Sequence, residues 1–219
     1  MNVELIGQAW EYALSNGDLF ISALVRHLEL SGLALVVGAA IGVPLGIWIS
    51  RYGTAARVVV NAVGIMRVVP SLAVLFLLLP SQGIGFRPAA IALTLLAIPP
   101  LLINADAGMR SVDPAVVEAG RGLGMSTWRL LSRVQLPLAL PVILAGVRIA
   151  AVEVIASATL ATLIGGGGLG DFIYAGLSRR ENAILLVGAV PVALLALLAE
   201  VSLGTVQRRL VRRNVKRET

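Results

Sequence analysis

With 58% apolar and only 14% charged side chains, this chain of 219 residues is too apolar for a soluble domain, where about 45–50% is usual, and it reads as an integral membrane protein. Its net charge of +6 does not point to nucleic acid, because Arg208, Arg209, Arg212, Arg213, Lys216 and Arg217 crowd the end of the chain, where a basic flank beside an apolar run sets membrane topology. With no cysteine and one histidine, His27, disulfides, iron–sulfur clusters, thiolate zinc sites and multi-histidine metal sites are excluded.

Residues 1–27 form a moderately amphipathic arm, suited to an interfacial helix. It has no basic start followed by a compact apolar centre, so no cleavable signal peptide is expected. Five segments then have the length to cross a bilayer core of about 30 Å, which takes about 20 helical residues. They are 28–50, 58–79, 84–103, 138–163 and 183–206. The predicted fold class is all-α, a polytopic helical bundle over 28–206 that includes the polar loop 104–137 and is followed by a basic tail, 207–219. Pro44, Pro70, Pro99, Pro100 and Pro191 fall within the spans, and Gly32, Gly38, Gly42 and Gly46 line the first. Membrane helices accept such residues where neighbours satisfy freed backbone groups and close approach is needed, so packing is their expected role.

Basic loop residues set the orientation. If the spans alternate, Arg51, Arg57, Arg110, Arg121, Arg129, Arg133 and the six basic residues of the tail share one side, against Arg26, Arg87, Arg179 and Arg180 on the other. This bias predicts an external N-terminus, a cytoplasmic C-terminus and a cytoplasmic loop 104–137.

Within that loop Asp113 is a good helix N-cap, and Pro114 suits the first helical position, where its missing N–H costs nothing. A short helix through Glu118, Ala119 and Gly120 follows, and Gly124 can end it in the left-handed conformation. Ser126 or Thr127 then caps a second helix that carries Trp128, Leu131 and Val134 and ends near Pro137. Such a corner projects a short helix from the membrane. Ala119 and Gly120 keep its surface slim enough for a groove on another protein, and Glu118, near the helix start, is favoured by the dipole. An ordinary solvated hairpin would share these features.

Residues 118–137, EAGRGLGMSTWRLLSRVQLP, combine Glu-Ala, a Gly six residues after the Glu, and a closing Val-x-Leu-Pro. This pattern resembles the EAA loop of ABC importer permeases. The resemblance implies that Glu118, Ala119, Gly120, Gly124, Leu136 and Pro137 belong to a surface that docks a separate ATP-hydrolysing subunit. Two longer stretches, VPSLAVLFLLLPSQGIGFRPAAIAL at 69–93 and LPLALPVILAGVRIAAVEVIASATLATLIGGGGLGD at 136–171, resemble permeases of the osmoprotectant importers, which carry glycine betaine, choline, carnitine and related compounds. Methionine importer permeases are of similar length, share the Gly-Gly-Leu-Gly feature, and are the nearest alternative. The resemblance implies a non-enzymatic subunit of a prokaryotic inner membrane, without a cofactor of its own. Its implied partners are cytoplasmic ATP-binding cassette subunits, a separate extracytoplasmic substrate-binding protein, a second permease (copy or sister chain) and the lipid bilayer.

Arg67, Arg148 and Glu153 fall inside predicted spans, where an Arg or Asp costs about 2.5–3.5 kcal/mol on insertion scales and normally faces a cavity or partner. With Pro70 and Ser71 they are candidate lining for a polar path, in which Glu153 would attract a quaternary ammonium. A structural ion pair, or an Arg148 snorkelling to the interface, is the plain alternative. Gly165, Gly166, Gly167, Gly168 and Gly170 make a flexible outer turn, suited to a gate, a binding-protein contact or a tight re-entrant turn. Without a Lys-Ser/Thr ending it is not a phosphate loop. No aromatic cage for a quaternary ammonium is evident, so solute selection is expected mainly in the separate receptor. A membrane hydrolase lacks a nucleophile motif here, and a gradient-driven transporter lacks a second half.

Overall fold

The computed structural model describes residues 3–215; Lys216 and Arg217 of the basic tail lie outside the described residues, as do the side chains of Arg212 and Arg213. Every regular element among the described residues is helical. They are α1 (Val3–Ser15), α2 (Gly17–Ile49), α3 (Gly53–Met66), α4 (Ser71–Leu77), α5 (Leu79–Gln82), α6 (Phe86–Arg110), α7 (Pro114–Gly122), α8 (Thr127–Leu130), α9 (Leu136–Ser157), α10 (Gly170–Arg179) and α11 (Asn182–Val215). A π-helical turn, Leu131–Gln135, joins α8 to α9, and a 3₁₀ stretch, Ala158–Ile164, extends α9. Four uninterrupted helices are long and apolar enough to cross a membrane: Gly17–Ile49, Phe86–Arg110, Thr127–Ile164 and Asn182–Val211. Among the described residues a further pair broken at 67–70, Ala56–Met66 with Ser71–Gln82, brings the number to five where it is read as one span and not as a re-entrant loop. The all-helical polytopic class expected from composition is what the chain forms.

The helix carrying the first span starts at Gly17, not near residue 28. Leu19, Phe20, Ile21, Leu24 and Val25 continue the apolar run upstream without a breaker, so only α1 remains as a separate arm. The side chains of Ser15 and Asn16 bond back to the Glu11 and Tyr12 carbonyls and mark the end of that arm. The second span is not one helix. Pro70 has no N–H to donate and disfavours helical Val69, so the helix stops at Met66 and restarts at Ser71. Nor does the second helix of the loop end near Pro137, as the sequence predicts. Instead the Leu136 N–H reaches back five residues to the Leu131 carbonyl, and the widened turn lets the helix pass a proline that would otherwise break its ladder.

The described chain falls into two compact units, each built from separated stretches. The first comprises residues up to Val37, Val69–Ala97 and Ala151–Ala199. Its core packs Phe172, Ile184 and Val187 against Tyr12, Phe20 and Ala23. Tyr12 meets the Phe172 ring edge-on at 6.5 Å and Phe20 lies 6.3 Å from it, aromatic pairs worth about 0.5–1.5 kcal/mol each beyond their burial. The second unit comprises Gly38–Val68, Ile98–Ala150 and the chain from Glu200 onward. Ala105, Met109, Leu131, Ala139 and Ile143 form one cluster there, and Ile49, Ala56 and Leu102 another. Of the glycines in the first span, Gly46 serves close approach: a Cβ on it would lie 2.6 Å from that of Ala105. Gly32 faces open space and has no such role.

Candidate functional site

The polar corner between α6 and α9 is closed by local chemistry. Asp113 Oδ1 accepts the Ala115 N–H at 2.8 Å, and Pro114 opens α7, as the sequence predicts. At the other end Gly124 has φ +73°, the left-handed conformation that glycine adopts most readily. The Met125 N–H then reaches the Gly120 carbonyl at 3.1 Å and the Gly124 N–H the Arg121 carbonyl at 2.9 Å, the two bonds of a Schellman ending. Of the two candidate caps for α8 the structure uses Ser126, whose Oγ accepts the Arg129 N–H at 3.4 Å.

Three details differ from the sequence reading. Glu118 lies five residues beyond the cap, in the middle of α7, so the helix dipole does not account for it. Gly120 is buried and does not thin the outer surface: a Cβ there would come within 2.6 Å of Leu130 Cδ1 and 3.4 Å of Met125 Sδ. Leu130, only 4% exposed, occupies the space the missing side chain leaves, which brings α7 and α8 into close contact. Leu136 is half-buried against the cluster of Ala105, Met109 and Leu131, and both it and Pro137 are helical residues set back from the corner. Glu118 and Ala119 remain on the exposed face. The same corner exposes Leu123 and Trp128, at 83% and 72%; the sequence reading placed Trp128 on the second helix without giving it a docking role and did not single out Leu123. Large apolar groups in a charged loop are the signal that could have found them. Together they give the corner an apolar tip flanked by Arg121 and Arg129, with the composition of a protein-docking surface.

The membrane-embedded charges divide. Arg67 is exposed at the break before α4, next to the Pro70 and Ser71 that restart the helix. Arg148 pairs across helices, its Nε 3.4 Å from Glu200 Oε1 on α11. Gly204, one turn on, leaves room for the guanidinium, since a Cβ there would lie 3.2 Å from Nη1. Sequence spacing offered no way to find Glu200, because the contact is tertiary. Glu153 is half-buried on α9.

The glycine-rich turn is walled in more than a flexible turn would be. Gly165, Gly167 and Gly168 have φ of +73°, +76° and +104°. A Cβ on Gly166 would lie 2.9 Å from both Ala161 and Ala89, and one on Gly168 3.3 Å from His27 Nδ1. His27 is fully buried, and its Nε2–H donates to the Ile155 carbonyl at 3.1 Å. Across the turn Thr162 donates to Asp171, and the Arg26 guanidinium stacks 4.3 Å above the Phe86 ring. The chain then re-enters a helix at Gly170, packed against the Thr159 backbone.

Comparison with known proteins adds to this geometry. The model of the binding-protein-dependent transport system inner membrane component matches residues 42–214. The chain is 43% identical over 201 residues to the carnitine transport permease protein OpuCB of Listeria monocytogenes, covering 92% of each. It is 37% identical to the glycine betaine/carnitine/choline transport system permease protein OpuCB of Bacillus subtilis, covering 93% of this chain and 94% of the other. It is also 37% identical to the osmoprotectant import permease protein OsmW of Salmonella typhimurium, covering 86% and 90%. Among solved structures, an inward-facing form of the MetNI methionine ABC transporter has the same fold, with a TM-score of 0.79 at 23% identity over 88% of this chain and 96% of that one.

Proposed function

The chain belongs to the family of inner-membrane components of binding-protein-dependent transport systems, and from that membership we propose that it is the membrane-spanning permease of an ATP-driven importer for small osmoprotectants such as glycine betaine, choline or carnitine. The observation that carries the substrate class is the 43% identity, over nearly the whole of both chains, to a carnitine permease. Two further relatives, named for choline and for osmoprotectants, agree with it.

In this reading the solute arrives on a separate extracytoplasmic binding protein, and ATP is hydrolysed by a separate cytoplasmic subunit. A second permease, either a copy or a sister chain, completes the path. The N-terminus lies outside and the C-terminus in the cytoplasm, which puts the corner between α7 and α8 on the ATPase side. Glu118, Ala119, Leu123 and Trp128 make the docking face. Gly120, Gly124, Leu136 and Pro137 hold that face in shape. A nucleotide-driven motion of the ATPase reaches the membrane through α8, because α8 continues into α9 without a loop. Arg148 is assigned to holding α9 on α11, which leaves Arg67, Pro70, Ser71 and Glu153 as the candidate pathway groups.

The test is uptake of labelled glycine betaine, carnitine and choline, with methionine in a parallel arm. Cells lacking their own uptake systems would express this chain with its neighbouring ATPase and binding protein. Uptake of at least one quaternary ammonium, dependent on ATPase and binding protein, is the expected result. Methionine uptake without any of the three would overturn the substrate class.

A further inference from the structure

Within the second unit a cavity of about 320 Å³ opens where three membrane-crossing helices begin or end. α2 stops at Ile49, α6 stops at Arg110, and the helix that becomes α9 starts at Thr127. Arg51, Arg110 and Arg121 line it, together with Ser50, Thr127 and Gln135. We propose that this cavity binds the phosphate group of an anionic phospholipid headgroup.

Charge is the first argument. Three arginines line one small space, and Arg110 is already engaged by Asp106, its Nε donating to both carboxylate oxygens at 2.9 and 3.0 Å, which leaves the charges of Arg51 and Arg121. Arg51 and Arg121 have no ion pair and no side-chain hydrogen bond among the described residues. Like charges gathered this way repel unless an anion sits between them, and guanidinium groups match the forked geometry of phosphate. The Thr127 hydroxyl and Gln135 amide, also without side-chain hydrogen bonds among the described residues, supply neutral donors beside them.

Depth is the second argument. One wall of the cavity, Ser50 and Arg51, directly follows the end of α2, at the level where the first predicted span, 28–50, gives way to headgroups. Basic pockets between membrane helices at that level suit anionic headgroups. Met109, Met125 and Leu130 give the cavity an apolar wall, against which the glycerol of a lipid can lie and a bare inorganic ion gains nothing. The volume is at the small end of the range for ligand pockets, enough for a headgroup but not for an acyl chain as well. None of its lining residues is among the candidate solute-path groups, and it shares with the docking corner Arg121, which flanks the tip, but not Glu118, Ala119, Leu123 or Trp128.

The full-length chain, purified in a neutral detergent, tests this by native mass spectrometry with added phosphatidylglycerol, phosphatidylcholine or inorganic phosphate. Phosphatidylglycerol is expected to be retained and phosphatidylcholine lost. The Arg51→Gln/Arg121→Gln protein should retain the anionic lipid more weakly by about tenfold per arginine removed, and Arg51→Lys/Arg121→Lys should keep most of it. In the wild-type chain, raising salt from about 0.1 to 1 M shortens the screening length from about 10 to 3 Å and should release the lipid. That measurement stands even where the glutamine variant does not fold. Equal retention of the two lipids, or retention unaffected by salt or by the glutamines, overturns the proposal. Displacement of the lipid by an equal concentration of inorganic phosphate overturns the lipid assignment in favour of a soluble phosphate. Unchanged lipid retention with loss of ATPase binding in the glutamine variant overturns it in favour of an acidic side chain on the ATPase.

Discussion

Gly120→Val tests whether the corner's shape, and not its outer surface, is what this glycine provides. A Cβ at residue 120 would already lie 2.6 Å from Leu130 Cδ1, and valine adds two methyl groups beyond it. Alanine alone is met by a small shift of the Leu130 tip. Valine needs the whole leucine side chain to leave a buried position, and overpacking of that kind costs about 1–3 kcal/mol. At 1.4 kcal/mol per tenfold, the balance between closed and open corner moves by about five- to 150-fold. Binding-protein-stimulated ATP hydrolysis and solute uptake in a reconstituted complex should fall together. The decisive variant is Gly120→Val/Leu130→Ala, which moves about the same volume from one side of the contact to the other and should cost less than about 1.5 kcal/mol. Recovery of coupling in the double variant is the expected result. If the double variant is as inactive as Gly120→Val, the Gly120–Leu130 contact does not set the corner and the reasoning fails.

Trp128→Ala removes an exposed side chain, so the thermal midpoint of the isolated chain should stay put while affinity for the ATPase subunit drops, by about 2 kcal/mol if the indole is a central anchor. A lower midpoint with unchanged affinity would show that Trp128 packs within its own chain. Glu200→Leu leaves Arg148 without its partner on a membrane helix, at a cost of about 2.5–3.5 kcal/mol on insertion scales, whereas Arg148→Met/Glu200→Leu removes penalty and charge together. The amount of folded protein in the membrane should therefore be lower for the single variant than for the double, and equal amounts would refute a pairing role. In the glycine-rich turn, Gly165→Asn should be tolerated, because φ +73° with ψ +17° is a conformation asparagine can adopt and the nearest neighbour to an added Cβ is 3.6 Å away. Gly168→Asn should destabilise more, by about 1–3 kcal/mol, since φ +104° lies outside that region and His27 stands 3.3 Å from the new Cβ. Detergent melting midpoints in the reverse order would count against this account of the turn.

Features governed by neighbours along the chain were readable from the sequence. The apolar runs placed the membrane-crossing helices, Asp113 with Pro114 placed the start of α7, and Gly124 placed its end. Features that depend on what folds against what were not. Gly120 looks like a slim outer surface until Leu130 is seen filling its space, and Arg148 gives no sign of Glu200 on another helix. The break before Pro70 was foreseeable as a distortion, because proline acts on its own neighbours, but the loss of helix back to Met66 was not. The passage of the helix through Pro137 reverses an inference that holds for a regular α-helix. It fails here because one π turn changes the hydrogen-bond register, and no single residue encodes that turn. The helix break at Asn16 was not legible because residues 17–27 are amphipathic and apolar enough to fit either helix.

The hydrogen bonds that close the corner from Asp113 to Leu130 join residues at most five positions apart, and the Gly120–Leu130 contact joins residues ten apart. Loops of about ten residues close in roughly 10–100 ns, so this segment can reach its shape as it is made, long before distant helices assemble. A partner then meets a face that is already ordered. Little conformational entropy is lost on contact, and more of the apolar area of Leu123 and Trp128 appears as affinity. Association should accordingly run at the pace of orientation and diffusion, without a folding step on the route to the complex.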